Sequence, residues 1–267
     1  MLSHTGERTR PEGFTSVEEY LIYLRSLFAY ESVKDRIAGS GLVLEIGCGE
    51  GFGAGLLSKH VRKIIGLDVD ENTVLHASKK YRSASCSFVT YGGRRLPFRD
   101  NTFDVVISFQ VVEHVPDDTG FISEAHRVLK TKGSFHITTP NRTHRLRNGT
   151  KPWNKFHLRE YYPNEFERIL RNRFESVNVW GIRGSEEIEK IEKQRIKDTL
   201  RLRALDPLGL REFIPEPLRV AIRAAMRRAA GKDLPVDERL SAFRASDYHI
   251  VKDNLSDSLD LLGICTK

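Results

Sequence analysis

Leu42-Val43-Leu44-Glu45-Ile46-Gly47-Cys48-Gly49-Glu50-Gly51-Phe52-Gly53 is the stretch that decides the fold. A short run of β-type apolar residues meets a cluster of glycines, and a helix-compatible segment, Ala54 to His60, follows. Strand, glycine turn and helix start together present backbone N–H groups to a ligand. Glycine permits positive φ and lets a ligand approach with no Cβ in the way. Spacing separates the motifs that share this layout. A dinucleotide fingerprint counted from Gly47 fails at Phe52, where the third glycine belongs; counted from Gly49 it passes only in the relaxed form ending at Ala54. A P-loop is excluded because no Gly-Lys-Ser/Thr follows. What fits is Glu45-x-Gly47-x-Gly49-x-Gly51.

Three further stretches follow in order. Ile64-Ile65-Gly66-Leu67-Asp68-Val69-Asp70 is a second apolar segment closed by an acid. Leu96-Pro97-Phe98 leads into Phe103-Asp104-Val105-Val106-Ile107-Ser108 and then Val112-Glu113-His114-Val115. Val128-Leu129-Lys130-Thr131-Lys132-Gly133-Ser134 is the last. Together with the glycine turn these resemble class I S-adenosylmethionine-dependent methyltransferases. The resemblance implies an α/β, Rossmann-like, seven-stranded sheet of order 3-2-1-4-5-7-6 with helices on both faces. It also implies S-adenosyl-L-methionine as cofactor and methyl transfer as the activity.

Residues read in chain order agree. Strand-like and helix-like segments alternate over 42–46, 54–60, 63–68, 71–81, 86–90, 103–109, 118–130 and 134–139, which argues a parallel sheet covered on both faces. Ahead of them, Ser16 and Glu19 form a capping box for a helix running from Val17 to about Ile37 and stopping at Gly39. A helix over 164–171, a strand over 174–180 and a last strand from Leu259 to Cys265 complete the core. Between those two strands the chain is far longer than a hairpin needs. The expected organisation is an N-terminal cap (1–40), a core (41–182 and 246–267) and a basic helical insertion (183–245). Within the insertion, residues 216–230 carry Arg219, Arg223, Arg227 and Arg228 against Leu218, Ile222, Ala225 and Met226, a basic amphipathic helix suited to a lid or to an anionic surface.

Composition narrows the partners. Hydrophobic residues make up 39% of the 267, ordinary for a globular chain, and no apolar run is long enough to span a bilayer. The first residues lack an apolar signal core, and Cys48, Cys86 and Cys265 are odd in number and widely spaced, so the expected setting is the cytoplasm, with a peripheral position at the inner membrane face as an option. The net charge of +7 is uneven: residues 1–140 balance, whereas 141–230 carry 21 Lys and Arg against 12 Asp and Glu. Such a field favours an anionic partner.

Candidate site residues follow from position. A carboxylate at Asp68 offers two acceptor oxygens to the two hydroxyls of a ribose. Glu45 lies inside a strand, where an acid is costly unless partnered; the resemblance has it either ordering the glycine turn or reaching the methionyl ammonium. By the same resemblance the cofactor is met by Glu45, Gly47, Cys48, Gly49, Gly51, Asp68, Val69, Gly92, Gly93, Ser108, Phe109 and Gln110. Where many relatives carry an acid for the adenine amino group, this chain reads Tyr91-Gly92-Gly93-Arg94-Arg95, which leaves adenine to backbone carbonyls or to Asp100. Tyr20 and Tyr23 are candidates to line the pocket from the leading helix.

The segment Phe156-His157-Leu158-Arg159-Glu160-Tyr161 resembles methyltransferases of cell-surface glycan and quinone biosynthesis, in which this loop lies over the methyl donor. His157 is then the candidate base with His114 at the substrate edge, and Trp153, Arg159 and Tyr161 are candidate substrate contacts. Each histidine also has a plain structural reading. After the fourth strand, Ser108-Phe109-Gln110 replaces the Asn/Asp-Pro-Pro-Tyr/Phe of enzymes that methylate planar nitrogens, which argues against a base or amide acceptor. No carboxylate set has metal-ligand spacing, so no metal is expected. The first expectation is O-methylation of a sugar or lipid-linked glycan hydroxyl. The alternatives are a quinone or phenol acceptor, RNA (disfavoured, since backbone charge carries no sequence specificity) and cofactor binding without turnover.

Overall fold

The computed structural model describes residues 11–14, 16–145, 152, 154, 156–204 and 240–267, with the backbone alone for residues 144 and 202–204. Helix α1 (Val17–Ile37) begins as its cap predicts, with the Ser16 hydroxyl accepting the Glu19 amide at 3.2 Å. There follow β1 (Leu42–Ile46), α2 (Phe52–Leu57), β2 (Lys63–Asp68), α3 (Glu71–Tyr81), β3 (Cys86–Thr90), β4 (Phe103–Phe109), α4 (Asp118–Val128) and β5 (Leu129–Pro140). The second half comprises α5 (Arg142–Arg145), α6 (Pro163–Arg171), β6 (Ser176–Gly184), α7 (Glu186–Ala204), β7 (Tyr248–Val251) and β8 (Asp260–Thr266).

The sheet runs β3-β2-β1-β4-β5-β8-β6-β7. Strands β1 to β5 are parallel, and β8 pairs antiparallel with both β5 and β6. Seven strands therefore take the expected order, and the count of seven is corrected to eight among the described residues. The extra strand exists because β6 continues past Trp180 to Gly184, and this extension offers an edge on which Tyr248–Val251 pairs antiparallel. The buried Tyr248 ring secures that edge, its hydroxyl donating to the Leu21 carbonyl at 2.9 Å.

Alternation along the strands sorts side chains between two faces. Leu44, Ile46, Val106, Phe135 and Ile137 pack with Phe121 and Ile122 of α4 and Phe166 and Leu170 of α6. Val43, Ile64, Val105 and Ile107 pack with Tyr30 and Ile37 of α1 and Leu57 of α2. Each fully buried side chain of this size contributes about 1.5–3 kcal/mol. Glu45 lies between Leu44 and Ile46, so its carboxyl is directed to the α1 face.

That face also holds a buried ionic cluster. Arg25 Nε of α1 lies 2.9 Å from Asp260 Oδ2 of β8, and Arg25 Nη1 lies 3.5 Å from Glu192 Oε1 of α7. Arg195 closes on Glu192 Oε2 at 2.6 Å. Helix α7, the first part of the expected insertion, is thereby fixed to the core. The basic helix expected over 216–230 lies outside the described residues.

Candidate active site

Strand order reverses between β1 and β4, and ligands of open α/β sheets bind at the carboxyl ends of the strands beside such a switch. The glycine turn sits there. The Gly47 and Cys48 amides donate to the Leu67 carbonyl at 2.7 and 3.0 Å, folding the turn across the end of β2. Gly47, Gly49 and Gly51 have φ of 76°, 51° and 82°. At Gly47 a Cβ would stand 2.3 Å from Val111 Cγ2, so the turn and the segment after β4 close on each other only through glycine; at Gly49 a Cβ would meet nothing within 4 Å. The open side of the turn is thus at Gly49.

Asp68 ends β2 against this turn. Its Oδ2 accepts the Gly49 amide at 2.9 Å, and its Oδ1 accepts the Asp70 amide at 3.0 Å. Val69 stands 58% exposed, an apolar surface next to the acid. Gly93 approaches it, a Cβ there lying 3.3 Å from Val69 Cγ1. Asp100 is paired with Arg127 Nη1 at 2.7 Å, on the α4 side.

Glu45 is buried, and its Oε1 accepts the Tyr30 hydroxyl at 2.5 Å. Its Oε2 is buried with no hydrogen-bond partner among the described residues. Burial pushes this carboxyl up to about 7, with the Tyr30 hydroxyl and the Ala54 amide working the other way. Tyr30 also sets its ring edge-on to Phe52 and Phe109, at 5.1 and 4.9 Å between centroids. Nothing in the sequence spacing singles out Tyr30, although it stands two helical turns past Tyr23, on the same side of α1. Tyr20 is tied away to the Phe243 carbonyl at 3.3 Å, whereas Tyr23 packs on Phe52 at 5.8 Å.

Ser108, expected at the cofactor, is buried and spends its hydroxyl on the Ile46 carbonyl at 3.0 Å. It fastens β4 to the start of the turn rather than facing a ligand. Gln110 takes φ of 58° and donates from its amide to the Thr138 carbonyl at 3.0 Å and from Nε2 to Thr138 Oγ1 at 3.3 Å.

Beyond β4 and β5 a second polar cluster forms. Glu113 is fully buried; its Oε2 accepts the Thr139 hydroxyl at 3.1 Å, and its Oε1 has no hydrogen-bond partner among the described residues. Its carbonyl accepts the Leu158 amide at 2.9 Å, which draws the distant loop onto the end of β4. His157 therefore meets His114, ring centroids 4.9 Å apart and edge-to-face. His114 Nδ1 lies 2.9 Å from the Phe156 carbonyl and His157 Nδ1 lies 2.7 Å from Glu160 Oε1. A carbonyl and a carboxylate only accept, so both Nδ1 atoms are donors and each neutral ring keeps its lone pair at Nε2. Glu160, also 3.5 Å from Arg145 Nη1, is missed by the spacing, yet it lies one helical step, i to i+3, from His157.

Two expected substrate contacts are bonded within the protein. Tyr161 is buried, with its hydroxyl donating to Asp118 Oδ2 at 2.8 Å, and Arg159 closes an ion pair on the same oxygen. Both are engaged in fixing the loop to the start of α4. Trp153 lies outside the described residues. A surface cavity of about 640 Å³ beside Thr143, Tyr162 and Glu165 touches none of the expected cofactor residues.

S-Adenosylmethionine supplies a sulfonium methyl as electrophile when bound, and the residues present fit it. Glu45 Oε2, with no hydrogen-bond partner among the described residues, offers an acceptor for an ammonium, Asp68 borders the open side of the turn, and exposed Val69 offers an apolar face to a base. These features define a class I methyltransferase. A methyltransferase-domain family model matches residues 44–137. A probable S-adenosylmethionine-dependent methyltransferase of Mycolicibacterium smegmatis is 35% identical over 98% of this chain and 94% of its own length. The chain belongs to the S-adenosylmethionine-dependent methyltransferases. A fatty-acid O-methyltransferase of the same organism is 30% identical over 51% of each chain. Among solved structures, a possible histamine N-methyltransferase of Thermotoga maritima superposes with a TM-score of 0.58 at 17% identity, covering 94% of this chain and 93% of that one; this likeness speaks for the fold alone.

Proposed function

We propose that the methyl acceptor is a hydroxyl oxygen of a sugar, free or carried on a lipid-linked glycan. The observation that carries this reading is the pair of histidines past β4 and β5, with His157 held by buried Glu160 at 2.7 Å. An aliphatic hydroxyl gives up its proton only with help near neutral pH, and an imidazole aimed by a third group supplies that help. A planar nitrogen acceptor would instead want carbonyl acceptors after β4, where Ser108 is buried and bonded to Ile46. The fatty-acid O-methyltransferase relative supports oxygen as the target atom and a lipid-bearing acceptor. A lipid-linked acceptor also gives the basic segment 216–230 a task at an anionic membrane surface.

Transfer of labelled methyl from S-adenosylmethionine to a glycolipid extract tests the reading, with mass spectrometry locating the methyl. The expected product carries it as a sugar ether. His157→Ala is expected to leave cofactor affinity unchanged while turnover falls about 10²–10⁴-fold. Methyl found on nitrogen, or near-normal turnover in His157→Ala on the identified acceptor, refutes it.

A further inference from the structure

A general base needs one imidazole, but the fold brings two together and adds a carboxylate. Glu113, His114 and His157 each offer one ligand atom, and the three atoms lie within 4.8 Å of one another. Tetrahedral zinc holds nitrogen and carboxylate oxygen ligands at about 2.0–2.2 Å, so ligand atoms stand about 3.3–3.6 Å apart. Atoms within 4.8 Å of one another stand near that spacing. We propose that Glu113, His114 and His157 form a divalent transition-metal site of the zinc type, with open positions facing the acceptor.

Three further observations support this. First, each ring commits Nδ1 to an oxygen, the Phe156 carbonyl for His114 and the Glu160 carboxylate for His157. Metal-ligating histidines are held in just this way, by a carbonyl or carboxylate on the nitrogen away from the metal. Second, Glu113 Oε1 is fully buried with no hydrogen-bond partner among the described residues, and its other oxygen is held by Thr139. A lone buried carboxylate oxygen is costly, and a cation offsets that cost. Third, the Leu158 amide on the Glu113 carbonyl holds the His157 loop in place before any ligand arrives. Two imidazoles and one carboxylate suit zinc, iron, nickel or copper rather than magnesium or calcium, which prefer all-oxygen sets. Sequence spacing hides the set because Glu113 and His114 are adjacent whereas His157 comes from a separate loop.

The role of the site rests on the hydroxyl-acceptor reading above. An acceptor hydroxyl in an open position is acidified by the cation and releases its proton to solvent. Its oxygen then forms the O–CH₃ bond as the S–CH₃ bond breaks, and that electron pair stays on sulfur as a neutral thioether. With the metal bound the imidazoles are its ligands and the cation takes over the acidification; the metal-free site keeps His157 as the base described above.

The test uses the full chain stripped with a chelator and titrated with Co²⁺ as a spectroscopic probe, then with Zn²⁺ in competition. The expected result is one equivalent of cobalt with visible d–d absorption, displaced by zinc. Glu113→Gln and His114→Ala should each weaken binding by at least ~10-fold, Glu160→Gln by about 10–100-fold, and His76→Ala, at a distant histidine, not at all. Melting curves check that each variant is folded, and the cobalt titration of the unaltered chain stands without them. Absence of a cobalt site in the unaltered chain, or binding unchanged in the folded variants, overturns the proposal. Methyl transfer that persists undiminished after chelation overturns the role in acceptor activation and leaves His157 as base. Cobalt binding with no sugar product leaves the site standing and refutes the acceptor reading instead.

Discussion

Replacing Arg25 by methionine should be among the most damaging single changes away from the glycine turn. The side chain is 10% exposed, and its guanidinium serves Asp260 at 2.9 Å and Glu192 at 3.5 Å, both essentially buried. Methionine keeps much of the stem volume, so the loss is electrostatic rather than a cavity. Removing one partner from a buried ionic cluster costs about 3–5 kcal/mol, because the charges left behind are uncompensated. For a chain of this size 1 kcal/mol moves Tm by about 2–4 °C, which gives a fall of roughly 6–20 °C. The pH dependence carries the stronger test. Burial raises the Asp260 carboxyl against the pull of Arg25 and Arg145, and Arg195 with Arg25 holds the Glu192 carboxyl down despite its burial. Without Arg25 both carboxyls move up, so below their new values the folded variant binds protons that the unfolded chain still lacks. Stability gained this way grows as pH falls, and the deficit against the unaltered chain should shrink from about pH 8 to pH 5. Thermal unfolding followed by circular dichroism across that range measures both quantities. A Tm within about 2 °C of the parent at pH 8, or a deficit that widens on acidification, would show that the cluster does not hold α1 and α7 to the sheet. Replacing Arg25, Glu192 and Asp260 together by apolar residues should recover much of the loss.

Three other outcomes are expected. Asp68→Ala should weaken S-adenosylmethionine by about 1–3 kcal/mol, the scale of losing hydrogen bonds to a charged acceptor; equal affinities by calorimetry, with the fold intact, would remove Asp68 from the ribose. In cofactor-free protein, Glu45 is raised to about 7 by burial, so its contribution is present below its unfolded value near 4.5 and fades as pH rises through 7, about 3 kcal/mol in all. Buried Glu113, also raised to about 7, adds to the slope, so urea titrations at several pH values should show Glu45→Gln reducing it; an unchanged slope refutes the assignment. The chain should sediment with anionic vesicles at low salt and be released at high salt, since Arg219, Arg223 and Arg227 are worth roughly 1 kcal/mol each at such a surface; no sedimentation at low salt leaves 216–230 as a lid.

What the sequence shows well is what neighbouring residues decide. The apolar runs of β1, β2 and β4, the glycine spacing and the acid at Asp68 are local signals, and they locate the cofactor half of the site. The Asp70 cap of α3, accepting the Thr73 amide at 2.7 Å, is local too. The acceptor half depends on which distant loop lands beside β4, and no periodicity encodes that. Glu113 reads only as part of the stretch after the fourth strand until the Leu158 amide brings His157 against it. Arg159 and Tyr161 read as available contacts because Asp118, their common partner, lies on another element. Gly181 reads as the end of a strand, whereas β6 runs through it, and the position admits only glycine because a Cβ there would stand 1.9 Å from Ser258 Oγ. Glycine at that position marks a close approach, not a stop.

The place of β8 has a consequence for how the molecule is made. Residues 260–266 lie between β5 and β6, joining a parallel half-sheet to an antiparallel hairpin. During synthesis, β5 and β6 emerge long before the strand that separates them, each with a row of unpaired backbone groups along one edge. Such edges invite pairing with one another or with a neighbouring chain. Asp260, which pairs with Arg25, arrives in the same late strand. The first half can therefore gather around the glycine turn early, but the sheet closes only after the last strand threads into its slot, a step with long loop closures and correspondingly slow folding. Fusions or deletions that delay or remove residues 260–266 should divert the chain to aggregates rather than to a merely weaker enzyme.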